Sequence, residues 1–190
     1  VDFSRNNFSI FEIKRIIDSK EIILDPDFQR KSNIWKLPQK SKLIESILMG
    51  IPIPLFYFAE NKNGGLSVVD GLQRLFAIKD FMDDKYELKD LFYLQKINGL
   101  KFSQLERDDQ QRIERYQLQV NVMSSNTPEY IKLNIFQRIN SGSTPLNKQE
   151  MRHALYQGKS TKLLQELSAC DEFNKAVATK LNTVRMKDRY

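Results

Sequence analysis

The sequence is short of the two residues that most often build metal and covalent centres. Its 190 residues include one cysteine, Cys170, and one histidine, His153. A single cysteine excludes a disulfide framework and a cysteine zinc site, and a single histidine excludes any centre that needs paired histidines. We therefore expect neither zinc nor haem as a cofactor, and no histidine-metal nuclease centre built from this chain alone.

Long apolar runs are also missing. No stretch reaches the roughly 18 apolar residues of a membrane-spanning helix, and the opening VDFSRNNFSI lacks the apolar region of a signal peptide. We expect a cytoplasmic location and no membrane partner, which the scarcity of cysteine fits. The chain does not begin with methionine and its last residues, VRMKDRY, carry no stop signal, so we expect a fragment of a longer protein.

Acidic residues are outnumbered by basic ones. Lysine and arginine total 30 against 24 acidic residues, which gives a net charge of +6, and the isoelectric point is about 9.3. Such a balance is compatible with nucleic acid or another polyanion as partner. An ordinary basic protein without such a partner is the alternative that charge alone leaves open.

The spacing of the apolar residues predicts helices mixed with short strands. Ser9 is a candidate cap for the first helix, Pro38 suits the first turn of the second, and Gly50 suits its end. The helices are predicted at 8–17, 37–50, 72–82, 108–116, 127–140 and 147–158, and the strands at 21–24, 51–60, 66–70 and 116–123.

The predicted fold class is α+β, with a small mixed β-sheet, packed helices and a helical C-terminal extension. Strands 51–60 and 66–70 flank a glycine turn and are typical of a hairpin, and Asn98-Gly99 predicts a second hairpin. Two prolines at the start of 51–60 predict an edge strand there. We divide the chain into a domain at 1–150 and a helical extension at 151–190, interpreted as the start of a further domain.

The corner at which strand 66–70 ends and helix 72–82 begins is the main candidate site. A helix start carries unpaired N–H groups and partial positive charge, and Gly71 would let an anion approach the backbone closely. Arg74 offers a planar donor fork for a phosphate, and Gln73 would orient a ligand or a water. Asp70 would hold Mg²⁺, a ribose hydroxyl or an attacking water. The alternative is a plain turn in which Asp70 caps the helix and Arg74 is solvated.

Two further Gln-Arg pairs stand at the ends of predicted elements. Gln29-Arg30 follows a phenylalanine in DPDFQRKSNIW, and Gln137-Arg138 follows another in IFQRINSGSTPLN. With Arg74, these arginines would converge on one polyanionic ligand. The alternatives are a salt bridge from Arg30 to a neighbouring aspartate, and contact of Arg138 with the carbonyl groups at the end of its own helix.

Four blocks in this order resemble a known family: PDFQR, LIESILMGIPIPLFYF, VVDGLQRLFAI and IFQRINSGSTPLNKQEMR. Together they are similar to the N-terminal domain of GmrSD-type restriction endonucleases, which belongs to the ParB/sulfiredoxin-like superfamily. The resemblance implies a ParB-like fold and a role in defence against phage DNA that carries modifications. It also implies that the corner binds and hydrolyses a nucleoside triphosphate, with Mg²⁺ as the expected cofactor.

The family motif, D-G-Q-Q-R, carries over with one departure. Asp70, Gln73 and Arg74 take the catalytic positions and Gly71 a phosphate-binding one, but Leu72 stands where the family has its first glutamine. The resemblance adds further nucleotide-binding candidates from the flanking blocks, namely Gln29, Arg30, Arg138 and Asn140. With Leu72 at this position, the site would hydrolyse nucleotide weakly or would only bind it. Alternatively, the Leu72 side chain would point inward, and the change would affect packing alone.

The family often has a separate nuclease domain, which this chain does not show. We therefore expect the cutting residues beyond Tyr190 or in a partner subunit. For His153 we expect a position on a helix surface or as a partly buried polar residue, rather than a catalytic role. DNA is an expected partner, with weaker candidate contacts from the basic tail at Lys180, Arg185, Lys187 and Arg189. A DNA-binding or interaction module without turnover is the alternative to a nucleotide hydrolase.

Overall fold

The computed structural model describes residues 2–23, 35–61 and 64–128, together with 131–132, 134–135, 138, 163, 166–167 and 170. The chain divides into two compact units, Val1–Ser125 and Asn126–Tyr190. The first unit contains the strands and helices described below. The predicted boundary between residues 150 and 151 lies outside the described residues and stays a prediction.

Five strands of the first unit form one mixed sheet in the order β1-β5-β3-β4-β2. β1 and β5 pair antiparallel, as do β3 and β4, whereas β3 pairs parallel with β5 and β2 pairs parallel with β4. The mixed α+β class is therefore confirmed. The strands are β1 at Phe3–Ser9, β2 at Ile22–Ile23, β3 at Phe56–Glu60, β4 at Leu66–Asp70 and β5 at Gln117–Met123.

Helices connect these strands, and their ends follow local sequence signals. Ser9 caps the first helix: its hydroxyl accepts the N–H of Glu12 at 3.2 Å, and the Glu12 carboxylate accepts the N–H of Ser9 at 2.7 Å. Pro38 occupies the first turn of the second helix, as predicted. In the described part of the first unit the helices are α1 at Ile10–Asp18, α2 at Leu37–Leu48, α3 at Leu72–Met82 and α4 at Arg107–Arg115.

The apolar faces of these elements meet in one core. Leu118, Val120 and Val122 alternate along β5 and are buried on one side of the sheet, as the sequence predicted. Helix α3 contributes Leu75, Ile78 and Phe81, which are also buried. The predicted inner face of α2 is likewise confirmed by the burial of Leu43, Ile44, Ile47 and Leu48.

Ion pairs hold α3 against α1 at the end opposite to the candidate corner. Lys14 of α1 lies 3.0 Å from Asp83, just after α3, and Lys79 of α3 lies 3.2 Å from Asp18. Hydrogen bonds from Lys14, then from Lys79, keep the pKa of Asp18 below its ordinary value despite partial burial. Partly exposed pairs of this kind each contribute about 1 kcal/mol or less to stability.

Two predictions about the sheet were wrong. Strand β3 begins at Phe56, after both prolines, and lies in the centre of the sheet, between β5 and β4. Residues 51–55, which include the prolines, belong to no strand. No hairpin forms at Asn98-Gly99, since Asn98 has a φ of −63° whereas a type I′ turn needs positive φ at both residues. Strand β1 was not predicted at all, because its mostly polar residues show no alternation.

The later predicted helices lie largely outside the described residues. Within predicted helix 127–140, residues 131–132, 134–135 and 138 are helical, and the N–H of Ile131 donates to the carbonyl of Pro128 at 2.9 Å. Helix 147–158 and the helical extension at 151–190 stay predictions. Among the described residues, no helix has the length and apolarity to cross a membrane.

Candidate functional site

The candidate corner forms where β4 passes directly into α3. Asp70 is the last residue of β4, and Gly71 occupies the cap position of α3 with a φ of 99°. A Cβ atom on residue 71 would lie 2.8 Å from Cε1 of Phe56, which is closer than real Cβ contacts. Gly71 is therefore required twice, by its left-handed backbone and by the Phe56 ring packed against it.

Arg74 lies within the corner and faces the chain before β3. Its Nη1 donates to the carbonyl of Pro54, and its Nη2 donates to the carbonyl of Leu55 at 3.1 Å. Nη2 also donates to Oδ2 of Asp70 at 2.8 Å. The guanidinium lies over the Phe56 ring, 4.4 Å from its centroid, so one side chain holds the end of β4, the start of α3 and the approach to β3 together.

The electrostatics of the corner are those of a desolvated ion pair. Arg74 is only 8% exposed. Burial lowers the pKa of Arg74, and the charge and hydrogen bond of Asp70 act in the opposite direction. Arginine stays protonated under these conditions because its ordinary pKa lies so far above neutrality. The Asp70 side chain is 30% exposed and is therefore the half of the pair that solvent or a ligand reaches.

The alternative of a plain turn is wrong in both of its parts. Asp70 does not cap α3, because the cap residue is Gly71 and no side chain caps the helix there. Arg74 is not solvated, because it is buried among the loop carbonyls and the Phe56 ring. The structure brings Asp70, Gly71 and Arg74 into one contact network, with Gln73 half-buried on the same first turn and Leu72 half-buried beside it.

Most other predicted site residues lie outside the described residues. Arg138 is described: it is helical and exposed, and it belongs to the second compact unit. The convergence of three arginines on one ligand therefore stays a prediction. The candidates whose placement is not described are Gln29, Arg30, Asn140, His153, Lys180, Arg185, Lys187 and Arg189.

A divalent cation at this corner would rely on few protein ligands. Among the described residues, no group of three or more His, Cys, Asp or Glu side chains is arranged to hold a metal. Mg²⁺ in nucleotide sites is commonly held by one or two carboxylates together with phosphates and water. Asp70 fits that mode through Oδ1, because its other oxygen, Oδ2, accepts the Arg74 hydrogen bond.

The sequence analysis missed the partners that fix the corner. Phe56 and the carbonyls of Pro54 and Leu55 take part in it, yet none of them carries a site-like sequence signal. The carbonyl groups belong to the backbone, 19 and 20 residues before Arg74. One signal was available, because Arg74 is followed directly by the apolar run Leu75-Phe76-Ala77-Ile78. An arginine in such a buried stretch of helix needs internal partners.

The class of this α+β domain, with its Asp-Gly-Leu-Gln-Arg corner, is given by a family comparison. The model of the GmrSD restriction endonuclease, N-terminal domain, matches residues 13–157. The chain therefore belongs to the GmrSD N-terminal domain family. Comparison with curated proteins and with solved structures gave no significant match.

Proposed function

We propose that this chain is the nucleotide-binding and nucleotide-hydrolysing regulatory domain of a restriction system that acts on modified DNA. Membership of the GmrSD N-terminal domain family supports the restriction system. The observation that carries the nucleotide site is the partly exposed Asp70 carboxylate, oriented by a buried arginine at the start of a helix. Regulation of a nuclease fits a chain whose single histidine cannot form a histidine-metal nuclease centre.

Each residue of the corner has a defined task in this proposal. Asp70 aligns the attacking water, or holds Mg²⁺ that neutralises phosphate charge, and the start of α3, which follows Gly71, binds the phosphates through its N–H groups. Gln73 orients the ligand or the water through its amide. Arg74 acts mainly as a positioning residue, because its hydrogen bonds to Asp70 and to two loop carbonyls fix the carboxylate.

Roles for residues of other segments stay predictions from the sequence. These are phosphate binding by Gln29, Arg30, Arg138 and Asn140, and DNA binding by the basic tail. The nuclease that nucleotide turnover controls lies in a downstream domain or in a partner subunit. The cellular location that we propose is the cytoplasm, where both nucleotide and invading DNA are found.

The test is nucleotide release by the purified chain with Mg²⁺, with and without DNA, for the parent and Asp70→Asn. We expect Asp70→Asn to remain folded, because the amide oxygen still accepts the Arg74 hydrogen bond, but to be less stable, because buried Arg74 loses its counter-charge. We expect turnover to fall by about 100-fold or more, because the amide can neither bind Mg²⁺ as an anion nor act as a base. The matched control is Asp108→Asn, at an exposed position of α4. Parental turnover by Asp70→Asn would refute the proposed hydrolysis.

The role of Arg74 needs a separate measurement, because its hydrogen bonds also stabilise the fold. Arg74→Ala removes an internal partner of Asp70, Pro54 and Leu55, so weaker nucleotide binding alone would not prove phosphate contact. Arg74→Lys keeps the charge but not the planar fork. If Arg74 serves only to position Asp70, Arg74→Lys lowers turnover far more than nucleotide affinity.

One observation favours a second candidate function, a DNA-binding or interaction module without turnover. The guanidinium of Arg74 already donates to groups of the protein itself, as a purely structural arginine does. In that case the parent would show no nucleotide release. DNA affinity would then fall steeply with added salt, because each neutralised phosphate releases counterions.

A further inference from the structure

The segment at 51–55, with the sequence Ile-Pro-Ile-Pro-Leu, lies between α2 and β3 and belongs to no helix or strand. Its backbone is nevertheless hydrogen bonded at both ends. Among the described residues, the side chains that make these bonds are Arg74, at the end next to β3, and Tyr116, at the end next to α2. The segment therefore joins the candidate corner to a second anchor, Tyr116.

The Tyr116 hydroxyl binds two backbone groups of the segment. It donates to the carbonyl of Ile51 at 2.8 Å and accepts the N–H of Ile53 at 3.2 Å. The backbone of Tyr116 is itself fixed, because its N–H donates to the carbonyl of Ile113 at 3.2 Å and its carbonyl accepts the N–H of Ile10 at 3.0 Å. These bonds tie the residue to the end of α4 and to the start of α1, so its hydroxyl has an ordered support.

Two prolines make the segment stiff. A proline ring holds its own φ at about −65° and restricts the residue before it to extended conformations. Pro52 follows Ile51 and Pro54 follows Ile53, so all four residues have reduced conformational freedom. Displacement of Ile53 therefore also moves the carbonyl of Pro54, one residue further along.

The carbonyls at the other end of the segment hold Arg74 in place. Nη1 of Arg74 donates to the carbonyl of Pro54, and Nη2 donates to the carbonyl of Leu55 at 3.1 Å and to Oδ2 of Asp70 at 2.8 Å. Because the donors of a guanidinium have fixed relative directions, a shift of the two carbonyls turns the group that orients Asp70. A continuous set of contacts thus runs from the Tyr116 hydroxyl to the Asp70 carboxylate.

We propose that Tyr116 is a positioning residue of the candidate site: through the segment at 51–55 it holds the Arg74 guanidinium, and thereby the Asp70 carboxylate, in the orientation that turnover needs. The effect on turnover rests on the nucleotide hydrolysis proposed above, whereas the effect on Arg74 does not. Tyr116 touches neither nucleotide nor Mg²⁺ in this proposal. Loss of its hydroxyl should therefore lower kcat and leave nucleotide affinity nearly unchanged.

The first test is phosphate release by the full chain with Mg²⁺ and ATP, GTP, CTP or UTP, for the parent and Tyr116→Phe, which keeps the ring and loses only the hydroxyl. With the nucleotide that the parent hydrolyses fastest, we expect kcat to fall about tenfold, because small misplacement of a catalytic group is costly, and KM to stay within about twofold. Adding Tyr116→Phe to Arg74→Lys should lower kcat no further, because the hydroxyl acts through the planar guanidinium. A merely structural hydroxyl would lower stability at parental kcat.

The second test requires no turnover. Nuclear magnetic resonance of the full chain with isotopically labelled arginine measures how fast the guanidinium protons exchange with water. Those of Arg74 are buried and hydrogen bonded, so we expect slow exchange in the parent and exchange about tenfold faster in Tyr116→Phe. The guanidinium of Arg112, whose side chain is 67% exposed, should exchange equally fast in both proteins and serves as an internal reference.

Tyr93→Phe is the matched control, because it removes the hydroxyl of a tyrosine that is 66% exposed and lies outside the segment. Its kcat and its Arg74 exchange should equal those of the parent. Pro54→Ala keeps the carbonyl of residue 54 and both anchors but loosens the connection between them, so it should also accelerate Arg74 exchange. This second variant tests the proposal even if Tyr116→Phe fails to fold.

Parental Arg74 exchange in Tyr116→Phe and in Pro54→Ala would overturn the proposal. So would a parental kcat in Tyr116→Phe, where the parent hydrolyses nucleotide. Faster Arg74 exchange in both variants, together with no phosphate release by the parent, would support the coupling of Tyr116 to Arg74 and refute the proposed hydrolysis instead. The two failures are therefore distinguishable.

Discussion

Two regions of this domain are each held by one buried charged side chain, and the two charges are opposite in sign. At the corner, buried Arg74 donates to the carbonyls of two successive residues, Pro54 and Leu55. Between α3 and α4, buried Glu45 accepts the N–H groups of three successive residues, Phe92 to Leu94. In each case one charged side chain satisfies the polar backbone of a segment that has no strand or α-helix of its own.

The difference between the regions lies in how the buried charge is neutralised. Arg74 has a carboxylate partner, Asp70, at 2.8 Å. Glu45 has no cationic partner within the described residues and depends on the amide dipoles of the segment that it holds. A cation that binds Asp70 through Oδ1 would therefore share the negative charge that neutralises Arg74, whose hydrogen bond is to Oδ2. The Glu45 segment has no equivalent exposed partner and acts as a fixed support.

The comparison predicts the largest loss of stability when Arg74 is removed. Arg74→Ala leaves Asp70 without its partner and two carbonyls without a donor, so we expect the free energy of unfolding to fall by about 3–5 kcal/mol. Denaturant unfolding of the parent and the variant measures this. Arg112→Ala, whose side chain is 67% exposed at 4.0 Å from Asp109, is the control and should cost about 0.5 kcal/mol or less. Equal losses in both variants would contradict the structural role of Arg74.

Removing Glu45 should lower the free energy of unfolding by less than removing Arg74 does, because it leaves no oppositely charged side chain without its partner. We expect Glu45→Ala to lower the free energy of unfolding by about 2–3 kcal/mol, since three amides lose a charged acceptor. Hydrogen exchange at residues 92–94 should accelerate at the same time. Glu45→Gln keeps an acceptor oxygen and should cost clearly less than alanine.

The control for the loop effect is Glu87→Ala, at an exposed position in the same connecting segment. It should leave both stability and exchange near parental values. If Glu45→Ala destabilises the whole domain while the exchange of residues 92–94 stays slow, the carboxylate does not hold that segment, and the parallel with Arg74 fails.

Local signals in the sequence predicted the elements more successfully than the contacts between them. Helix α3 begins at Leu72 after a glycine with positive φ, as the Asp-Gly corner indicated, and the alternation of β5 identified its buried face. The prolines at 52 and 54 instead misplaced β3 at an edge. They precede the strand, so they disturb no pairing within it.

The partners of the two buried charges were harder to predict, because they are distant backbone atoms. The amides that Glu45 holds lie 47 to 49 residues away along the chain. Spacing within α2 did contain a signal: Glu45 stands four residues after buried Ser41 and three before buried Leu48, on the same face of the helix. A charged residue in a buried stripe implies an internal partner, although nothing in the sequence identifies which one.

The smallest effect that we expect is a difference in stability between substitutions at two glycines, one in each region. Gly71 at the corner and Gly99 in the segment between α3 and α4 have similar φ values, 99° and 84°. Alanine meets the same backbone strain at both, but at residue 71 its Cβ would also meet the Phe56 ring, whereas no atom lies within 4 Å at residue 99. We expect Gly71→Ala to cost about 2 kcal/mol more than Gly99→Ala, because the added methyl overpacks a buried contact. Thermal or denaturant unfolding of the two variants measures the difference, and equal costs would mean that the Phe56 ring moves aside freely and does not confine the corner.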